Sequence, residues 1–282
     1  MKNIGLVLEG GGSRGVFTAG VLNFLMEQNI YIPYVIGVSS GACNGSSYIS
    51  RQIERNKKVN IDYVSHPDYL SLRNWVTKRQ LFGMDFLFDT LPNQLVPFDY
   101  HTFQSAKEEF VVGTTDCLTG EPVFYSKAEY AQDMMTVIRA SSSLPVVAPP
   151  INFQSRVLMD GGIADPIPIV QSMKDGNQKN VVVLTRNRGY FKKRASQNWY
   201  IKRKYKDFPG LIKAIEKRHQ VYNDTLQYLY EQEKQGNVFI ISPNEKLTVG
   251  RVEKNKNKLM DLYRKGYQDT KKLKAPLQEF LA

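Results

Sequence analysis

The sequence predicts an α/β protein whose central sheet is mainly parallel. Short apolar runs, typical of strands buried on both faces, recur along the chain and alternate with segments of helical periodicity. The first two runs, residues 4–8 and 34–38, each end in a glycine- and serine-rich turn that opens a helix. Because strands and helices alternate in this way, we expect helices to cover both faces of the sheet in a three-layer α/β fold.

The remaining elements follow from the same two periodicities. A helix is predicted from Gly15, because its apolar residues share one face up to position 26, and Pro33 prevents its continuation. A second helix is predicted over residues 41–55. Further strands are predicted at residues 110–115, 122–125, 156–159, 181–185 and 238–241, and further helices at residues 128–140, at residues 208–229 and from residue 251 onward.

Composition excludes several other classes of protein. With 42 % hydrophobic and 23 % charged residues, the 282-residue chain can build a large core, so it is not intrinsically disordered. No run reaches the roughly 18 apolar residues of a membrane-spanning helix, and the first residues lack a signal-peptide pattern, so we expect a cytoplasmic protein. Its two cysteines, Cys43 and Cys117, are too few for a disulfide framework or a four-cysteine zinc site.

Positive charge is concentrated in one part of the sequence. The 38 Lys and Arg residues exceed the 27 Asp and Glu residues by 11, and residues 186–218 alone contain twelve basic and two acidic residues, a net charge of +10. Aromatic residues are interleaved there, which is one feature of nucleic-acid-binding segments. No RNA- or DNA-binding motif accompanies them, so we expect no nucleic acid partner. An ordinary solvated face is the simplest interpretation.

The first chemical motif is a G-x-S-x-G pattern at residues 37–41, directly after a strand and before a helix. This context displays a serine on a sharp strand-to-helix turn, which makes Ser39 a candidate nucleophile. The flanking Gly37 and Gly41 fit the motif, because side chains there would collide in so tight a turn. The alternative is a glycine-rich turn that only closes the strand.

The second motif is the turn after the first strand, which consists of Gly10, Gly11, Gly12, Ser13, Arg14 and Gly15. Its G-x-G-x-x-G spacing is typical of dinucleotide binding, but the second strand ends without the Asp or Glu that would bind a ribose, and no P-loop lysine follows. Bare backbone N–H groups at a helix start remain, and an ester hydrolase needs such donors for its oxyanion. For Arg14, a clamp on the turn and a direct electrostatic role both stay open.

A nucleophilic serine needs a base, and the sequence has three histidines. Only His219 has the chain position of a Ser-acid-His triad, yet it lies on the apolar stripe of a predicted helix, where a packed histidine is expected. His66 and His101 have no motif around them. A carboxylate is the alternative, because Asp160 ends a strand and two glycines after it permit close approach to the nucleophile.

Four motifs together resemble those of the patatin-like phospholipase family in its bacterial form. They are GGGSRG at residues 10–15, GVSSG at 37–41, ASSSLPVVAPP at 140–150 and DGG at 160–162. The resemblance covers residues 2–185 and implies a three-layer αβα fold. It also implies a catalytic dyad of Ser39 and Asp160, which would account for the lack of a usable histidine.

The resemblance implies the rest of the site as well. The oxyanion hole falls on residues 11–14, Gly161 and Gly162 form the loop after the aspartate, and residues 141–143 form a structural turn beside the site. The implied activity is hydrolysis of acyl esters in phospholipids or lysophospholipids, with no metal and no cofactor. A broad-specificity carboxylesterase or an acyltransferase on the same dyad is the alternative.

We divide the chain into a patatin-like catalytic core, residues 1–185, and a basic, largely helical extension, residues 186–282, packed on the same domain. The resemblance says little about the extension. Because a lipid substrate is packed in a membrane, the basic segment has a second interpretation, which is peripheral contact with an anionic surface at the inner face of the membrane.

The stretch from residue 59 to 100 is the least regular part of the sequence, but it is rich in apolar residues. Seven fall within eleven positions: Leu81, Phe82, Met84, Phe86, Leu87, Phe88 and Leu91. They predict either a satellite core beneath a long connection or the wall or lid of an acyl pocket.

Overall fold

In a computed structural model that describes residues 3–70, 81–194 and 199–282, the chain is built around one eight-stranded sheet. The strands are β1 (Ile4–Leu8), β2 (Tyr34–Val38), β3 (Glu109–Asp116), β4 (Pro122–Ser126), β5 (Ile151–Phe153), β6 (Arg156–Asp160), β7 (Lys179–Val183) and β8 (Val238–Ile241). Their order is β5-β6-β3-β2-β1-β7-β8, and β4 pairs with β3 apart from this path. The pairs among β1, β2, β3, β7 and β8 are parallel, whereas β4, β5 and β6 pair antiparallel, so the sheet is mostly parallel, as predicted.

Helices fill the connections between the strands. They are α1 (Gly15–Glu27), α2 (Ser40–Ile49), α3 (Arg55–Lys57), α4 (Tyr100–Ser105), α5 (Lys127–Tyr130), α6 (Met134–Ser141), α7 (Ile169–Lys174), α8 (Trp199–Lys204), α9 (Pro209–Lys234), α10 (Lys256–Lys272) and α11 (Lys274–Leu281). Short 3₁₀ turns at Gly12–Arg14 and Gly161–Ile163 and wide helical turns at Lys58–Asp62 and Phe86–Leu95 complete the described elements. No helix in these ranges has both the length and the hydropathy needed to cross a membrane.

Alternate residues of the central strands face opposite layers of helices. Leu6 and Leu8 of β1 belong to the core beneath α1, α2 and α10. Val7, between them, belongs to a second core against α7 and α9. Since both faces of the sheet are covered, the central strands β1 and β2 are almost entirely apolar, which is why they read as continuous apolar runs in the sequence. The three-layer αβα arrangement is therefore the predicted one.

Three predicted helices have different bounds in the structure. The second ends at Ile49, because Arg51 and Glu54 have φ angles of 60° and 68°, which an α-helix cannot contain. The helix predicted over residues 128–140 is two helices, α5 and α6, with a turn between them. The last long helix starts later than predicted, because the Asn255 side chain caps it by accepting hydrogen bonds from its first backbone N–H groups.

The chain after residue 185 completes the sheet and one helix layer. β8 pairs in parallel with β7, and α10 packs along α1. This packing is close enough that a Cβ atom at Gly20 would collide with the carbonyl oxygen of Tyr263, and one at Gly266 with the carbonyl oxygen of Phe17. The division of the chain at residues 185 and 186 stays a prediction.

The close contact between α1 and α10 predicts that Gly20→Ala destabilises the fold. In an exposed helix, replacing Gly by Ala stabilises by roughly 0.5–1 kcal/mol, but forced overpacking costs roughly 1–3 kcal/mol. We expect the free energy of unfolding, measured by urea denaturation, to fall. Gly250→Ala is the control, because its new Cβ would have its nearest neighbour at 3.5 Å. A Gly20→Ala variant as stable as the wild type would contradict this contact.

Candidate active site

Ser39 lies on the sharp turn between β2 and α2. Its backbone has φ 55° and ψ −127°, a conformation that is strained for a residue with a side chain, and the residue is 7 % exposed. A Cβ atom at Gly37 would lie 2.8 Å from the carbonyl carbon of Gly41, and one at Gly41 would collide with the carbonyl oxygen of Leu8. The two glycines therefore let the turn pack against β1, and the turn presents Ser39 at the end of its strand.

A second serine holds this strained backbone in place. The hydroxyl of Ser141 accepts a hydrogen bond from the backbone N–H of Ser39 at 2.8 Å and donates one to the carbonyl oxygen of Gly113 at 2.6 Å. Two residues on, the carbonyl oxygen of Ser143 accepts a hydrogen bond from the backbone N–H of Asp160 at 2.9 Å. The turn at residues 141–143 thus connects the positions of Ser39 and Asp160, as expected of a structural turn beside the site.

Asp160 ends β6 and is 1 % exposed. Its Oδ1 atom accepts a hydrogen bond from the backbone N–H of Gly162 at 2.9 Å, whereas its buried Oδ2 atom has no well-aligned hydrogen bond from any described residue. Burial raises the pKa of Asp160, although interactions with the Ser39 hydroxyl and with Arg218 oppose this rise. A buried carboxylate of raised pKa beside a serine hydroxyl is suited to accept the proton of that hydroxyl.

Different steric constraints apply to the two glycines after Asp160. A Cβ atom at Gly161 would collide with the carbonyl oxygen of Gly113, and one at Gly162 would lie 3.1 Å from the Asp160 Oδ1 atom. The carbonyl oxygen of Gly162 accepts a hydrogen bond from Nε of Arg218, a residue of α9. The loop thus packs closely around the carboxylate and brings a guanidinium group beside it.

Most backbone N–H groups of the glycine-rich turn at residues 10–15 already donate hydrogen bonds within the protein. Gly11 donates to the hydroxyl of Ser40 at 2.8 Å, and the other bonded donors are Gly10 to Pro166, Ser13 to Arg251, Arg14 to Gly11, and Gly15 to Gly12 and Ser13. The backbone N–H of Gly12 has no acceptor among the described residues, and neither has that of Ser40 at the first position of α2. The structure therefore leaves two free donors beside Ser39, one from each motif.

Arg14 is 5 % exposed, yet its side chain makes no hydrogen bond or ion pair with any residue of the described ranges. Burial, followed by repulsion from Arg186, lowers its pKa to about 10. A clamp on the turn would require hydrogen bonds from the guanidinium group. Of the two interpretations left open by the sequence, the structure favours the electrostatic one.

A largely apolar cavity opens beside Ser39 and encloses about 140 Å³. Its lining includes small and polar residues of the two motifs, Gly12, Ser13, Ser39 and Ser40. It also includes the apolar residues Val16, Ile138 and Leu144. Four of the seven apolar residues noted near position 85 also line it: Phe82, Met84, Leu87 and Phe88. The irregular stretch of the sequence thus contributes a pocket wall, while Phe86 and Leu91 join the core behind it.

The three histidines lie in the described ranges, and none lines the cavity. His66 stacks on Phe86 with ring centroids 4.4 Å apart, His101 is exposed on α4, and His219 on α9 pairs through Nδ1 with the carbonyl oxygen of Glu216 at 3.0 Å. Asp160, by contrast, interacts with the Ser39 hydroxyl, which makes it the base candidate. Within the described ranges, no three His, Cys, Asp or Glu residues are grouped so that they could hold a metal ion.

Sequence reasoning missed three residues that the fold brings to this site. The hydroxyl of Ser40 occupies the N–H of Gly11, Arg218 contacts the loop after Asp160, and Arg251 lies over Gly12. The sequence offers a signal for Ser40, because it lies within the G-x-S-x-G motif and its hydroxyl, next to the nucleophile, requires a hydrogen-bond partner. No local signal marks the two arginines, because they come from distant segments.

Comparison with solved structures supports the fold. VipD from Legionella pneumophila superposes with a TM-score of 0.58 at 14 % identity, over 97 % of this chain and 67 % of that one. A family model described as patatin-like phospholipase matches residues 6–172, which is more than half of the chain. By class, the protein is a lipid acyl hydrolase. It belongs to the patatin-like phospholipase family.

Curated relatives differ widely in how much of them the chain covers. The uncharacterized protein YjjU of Escherichia coli (strain K12) is 27 % identical over 86 % of this chain and 69 % of its own length. Lysophospholipase nte1 of Aspergillus terreus is 27 % identical over 60 % of this chain but only 11 % of its own length, and the probable lipid hydrolase 463L of Invertebrate iridescent virus 6 is 25 % identical over 62 % and 65 %. Residues 208–282 match a second family model, a domain of unknown function named DUF6363.

The bridge between Ser39 and Gly113 predicts that Ser141→Ala weakens both the fold and the nucleophile. Removing the hydroxyl leaves a buried N–H and a buried carbonyl unpaired, which costs roughly 1–3 kcal/mol of unfolding free energy for each such group. We expect urea denaturation to show this loss, and we expect Ser39 to react more slowly with a fluorophosphonate.

Ser143→Ala is the matched control, because the hydroxyl of Ser143 donates only to the carbonyl oxygen of Arg139 at 2.9 Å, one helical turn earlier. It should affect the labelling of Ser39 less than Ser141→Ala does. Equal labelling rates in the wild type and in Ser141→Ala would show that this bridge does not position Ser39.

Proposed function

We propose that this protein hydrolyses acyl esters of phospholipids or lysophospholipids, with Ser39 as nucleophile and Asp160 as general base. One observation carries the proposal. A strained, buried serine lines an apolar cavity, and its hydroxyl interacts with a buried carboxylate of raised pKa. Serine, base and acyl pocket are the parts that ester hydrolysis through an acyl-enzyme requires.

The reaction runs in two halves. Ser39 Oγ attacks the ester carbonyl carbon while its proton passes to Asp160, and a tetrahedral oxyanion forms. The intermediate collapses to an acyl-serine, and the proton on Asp160 goes to the departing alcohol, which is the deacylated lipid. Water then attacks the acyl-serine, Asp160 takes a proton from that water, and the fatty acid leaves as Ser39 recovers its proton.

The oxyanion is assigned to the two free donors beside Ser39. Because the N–H of Gly11 already donates to Ser40, the backbone N–H groups of Gly12 and Ser40 are left to face developing charge. Ser40 also begins α2, so the positive end of that helix dipole points toward the oxyanion. A donor of this kind contributes on the order of 3 kcal/mol to the barrier reduction.

The cavity is assigned to the fatty acyl chain. Its wall is mainly apolar, and each methylene that leaves water on entering contributes about 0.8 kcal/mol. Such a pocket favours an acyl ester with a chain over an acetate ester. A hydrolase transfers the acyl group to water, and an acyltransferase transfers it to an alcohol. Product analysis distinguishes the two.

The basic segment is assigned to an anionic membrane surface. Phe191 and Trp199 are each 70 % exposed, which is unusual for large apolar side chains, and Arg203 and Lys204 of α8 are exposed beside Trp199. Aromatic rings next to cations suit the lipid headgroup region, where an apolar ring and a charge are both satisfied. This surface would hold the enzyme on the membrane from which it takes its substrate.

The dyad predicts that Ser39→Ala abolishes both ester hydrolysis and fluorophosphonate labelling, and that Asp160→Asn lowers kcat by several orders of magnitude, because an amide cannot accept the serine proton. Both are measured on a lysophospholipid, with release of fatty acid as the readout.

The controls for the dyad are Asp165→Asn, a carboxylate of the same loop outside the dyad, and the three histidine variants, His66→Ala, His101→Ala and His219→Ala. Each should keep the chemistry. A folded but inactive histidine variant would mean that Asp160 is not the base.

Membrane docking predicts that the double variant Arg203→Gln, Lys204→Gln binds anionic vesicles more weakly. Each basic residue near such a surface contributes about 1 kcal/mol, so the partition constant should fall by roughly tenfold or more. Raised salt should weaken wild-type binding in the same direction.

Lys271→Gln, Lys272→Gln removes the same charge from the exposed end of α10 and is the matched control. Both double variants should hydrolyse a monomeric short-chain ester at the wild-type rate. Equal vesicle binding by the two double variants would leave residues 186–218 as an ordinary solvated face.

A further inference from the structure

Five cationic side chains from different parts of the chain form a group that reaches the dyad through two of its members. We call them the cationic cluster, which consists of Arg14, Arg186, Lys192, Arg218 and Arg251. Arg14 belongs to the glycine-rich turn, and the others follow residue 185. Electrostatic interactions connect the members to one another, and those of Arg218 and Arg251 extend to Asp160.

Two members are attached to opposite sides of the dyad. Nε of Arg218 donates to the carbonyl oxygen of Gly162, in the loop after Asp160. Arg251 covers the glycine-rich turn, because its Cγ atom lies 2.9 Å from where a Cβ of Gly12 would be, and its carbonyl oxygen accepts the N–H of Ser13 at 2.9 Å. The guanidinium group of Arg218 and the backbone of Arg251 are therefore bonded to the two loops of the site.

Two further members are held by aromatic residues. The Lys192 ammonium lies 4.6 Å from the ring centre of Tyr222, and the Asn223 side chain pairs with the Lys192 backbone N–H and carbonyl at 2.9 and 3.0 Å. The Arg186 guanidinium lies 4.4 Å from the ring centre of Tyr190. These contacts fix the cations without neutralising them.

No member of the cationic cluster forms an ion pair with a carboxylate of residues 3–70, 81–194 or 199–282. Glu9 interacts electrostatically with Arg14, Lys192 and Arg218, but Tyr222 and the backbone of Thr185 already occupy its two oxygens. Five positive charges thus face at most two negative ones. Arg14 is buried, and Arg186, Lys192 and Arg218 are half-buried. Cations withdrawn from water without a partner are costly, so this arrangement points to an anion supplied from outside.

Repulsion within the cationic cluster agrees with this. Burial, and then Arg218 and Arg251, lower the pKa of Lys192 to about 7. Burial lowers the pKa of Arg218 as well, and Arg251 adds to the effect. An anion bound among these groups would relieve both the repulsion and the lack of hydrogen-bond acceptors.

We infer that the cationic cluster binds the phosphate of the substrate headgroup, so that the preferred substrates are phospholipids or lysophospholipids whose headgroup carries a net negative charge. This inference rests on the proposed function. The phosphate of such a lipid is only a few bonds from the ester carbonyl, so it reaches the cluster while the carbonyl lies at Ser39 and the chain enters the cavity. A quaternary ammonium headgroup would bring a cation into the same field and be disfavoured.

The test compares substrates that stay monomeric, so that docking on a membrane plays no part. The substrates are dihexanoyl phosphatidylglycerol, dihexanoyl phosphatidylcholine and p-nitrophenyl butyrate, each below its aggregation limit and on the alkaline plateau of the pH profile. We expect the wild type to have a higher kcat/KM for the phosphatidylglycerol than for the phosphatidylcholine. Arg251→Gln should lower the ratio of kcat/KM between phosphatidylglycerol and p-nitrophenyl butyrate by about tenfold or more.

Arg251→Gln is the lead variant because its side chain is exposed, and Arg186→Gln provides a second. Lys217→Gln is the matched control, since Lys217 is exposed on the same helix as Arg218 and precedes it by one residue. The fluorophosphonate labelling rate of Ser39 reports whether each variant keeps its fold. An unchanged substrate ratio in Arg251→Gln and Arg186→Gln, or an equal fall in Lys217→Gln, would overturn the inference.

Inorganic phosphate separates a lipid headgroup from a free anion as the ligand. If it competes with p-nitrophenyl butyrate while the wild type shows no preference for phosphatidylglycerol, the cluster is a free-phosphate site and the substrate inference is overturned. Failure of the proposed function has a different signature, which is the absence of Ser39 labelling and of turnover with all three esters.

Discussion

The strained backbone of Ser39 is the constraint on which the rest of the site depends. A serine at φ 55° is unfavourable by itself, so the surrounding structure must over-determine it. Ser141 does so through its bridge to Gly113, and the turn that contains Ser141 also binds the backbone of Asp160. Nucleophile and carboxylate are therefore positioned by one short segment, although 121 residues separate them in the sequence.

The C-terminal part of the chain is involved in the site as well as in the fold. β8 extends the sheet, and α10 covers α1, whose N-terminus carries the glycine-rich turn. The segment between β8 and α10 then returns to that turn. There the carbonyl oxygen of Arg251 accepts a hydrogen bond from the backbone N–H of Ser13, and the backbone N–H of Glu253 donates one to the hydroxyl of Ser13. A change in the packing of α10 would thus alter the positions of the backbone N–H donors beside Ser39.

Sequence patterns predict those features that local chemistry decides. Apolar runs and period-3.6 patterns predict the three layers. The turn after β2 can be predicted because the close packing at residues 37 and 41 requires glycine, which leaves the G-x-S-x-G motif in the sequence. The end of α2 escaped prediction, since the positive φ angles of Arg51 and Glu54 leave little trace in the sequence. The break between α5 and α6 escaped prediction as well. The positions of Arg218 and Arg251 beside the dyad could not be predicted from the sequence either, because tertiary packing alone brings these residues there. The catalytic roles of Ser39 and Asp160 stay predictions.

Burial acts in opposite directions on the two kinds of charge in this site. It raises the pKa of Asp160 and of Glu9, and it lowers the pKa of Arg14 and of Lys192, because in each case the neutral form is favoured away from water. Each group alone would destabilise the fold. Together, the cations hold the carboxylate of Asp160 closer to its ionised, proton-accepting form than burial alone would allow. The same positive field that keeps the base ready also selects for negative charge in what binds next to it.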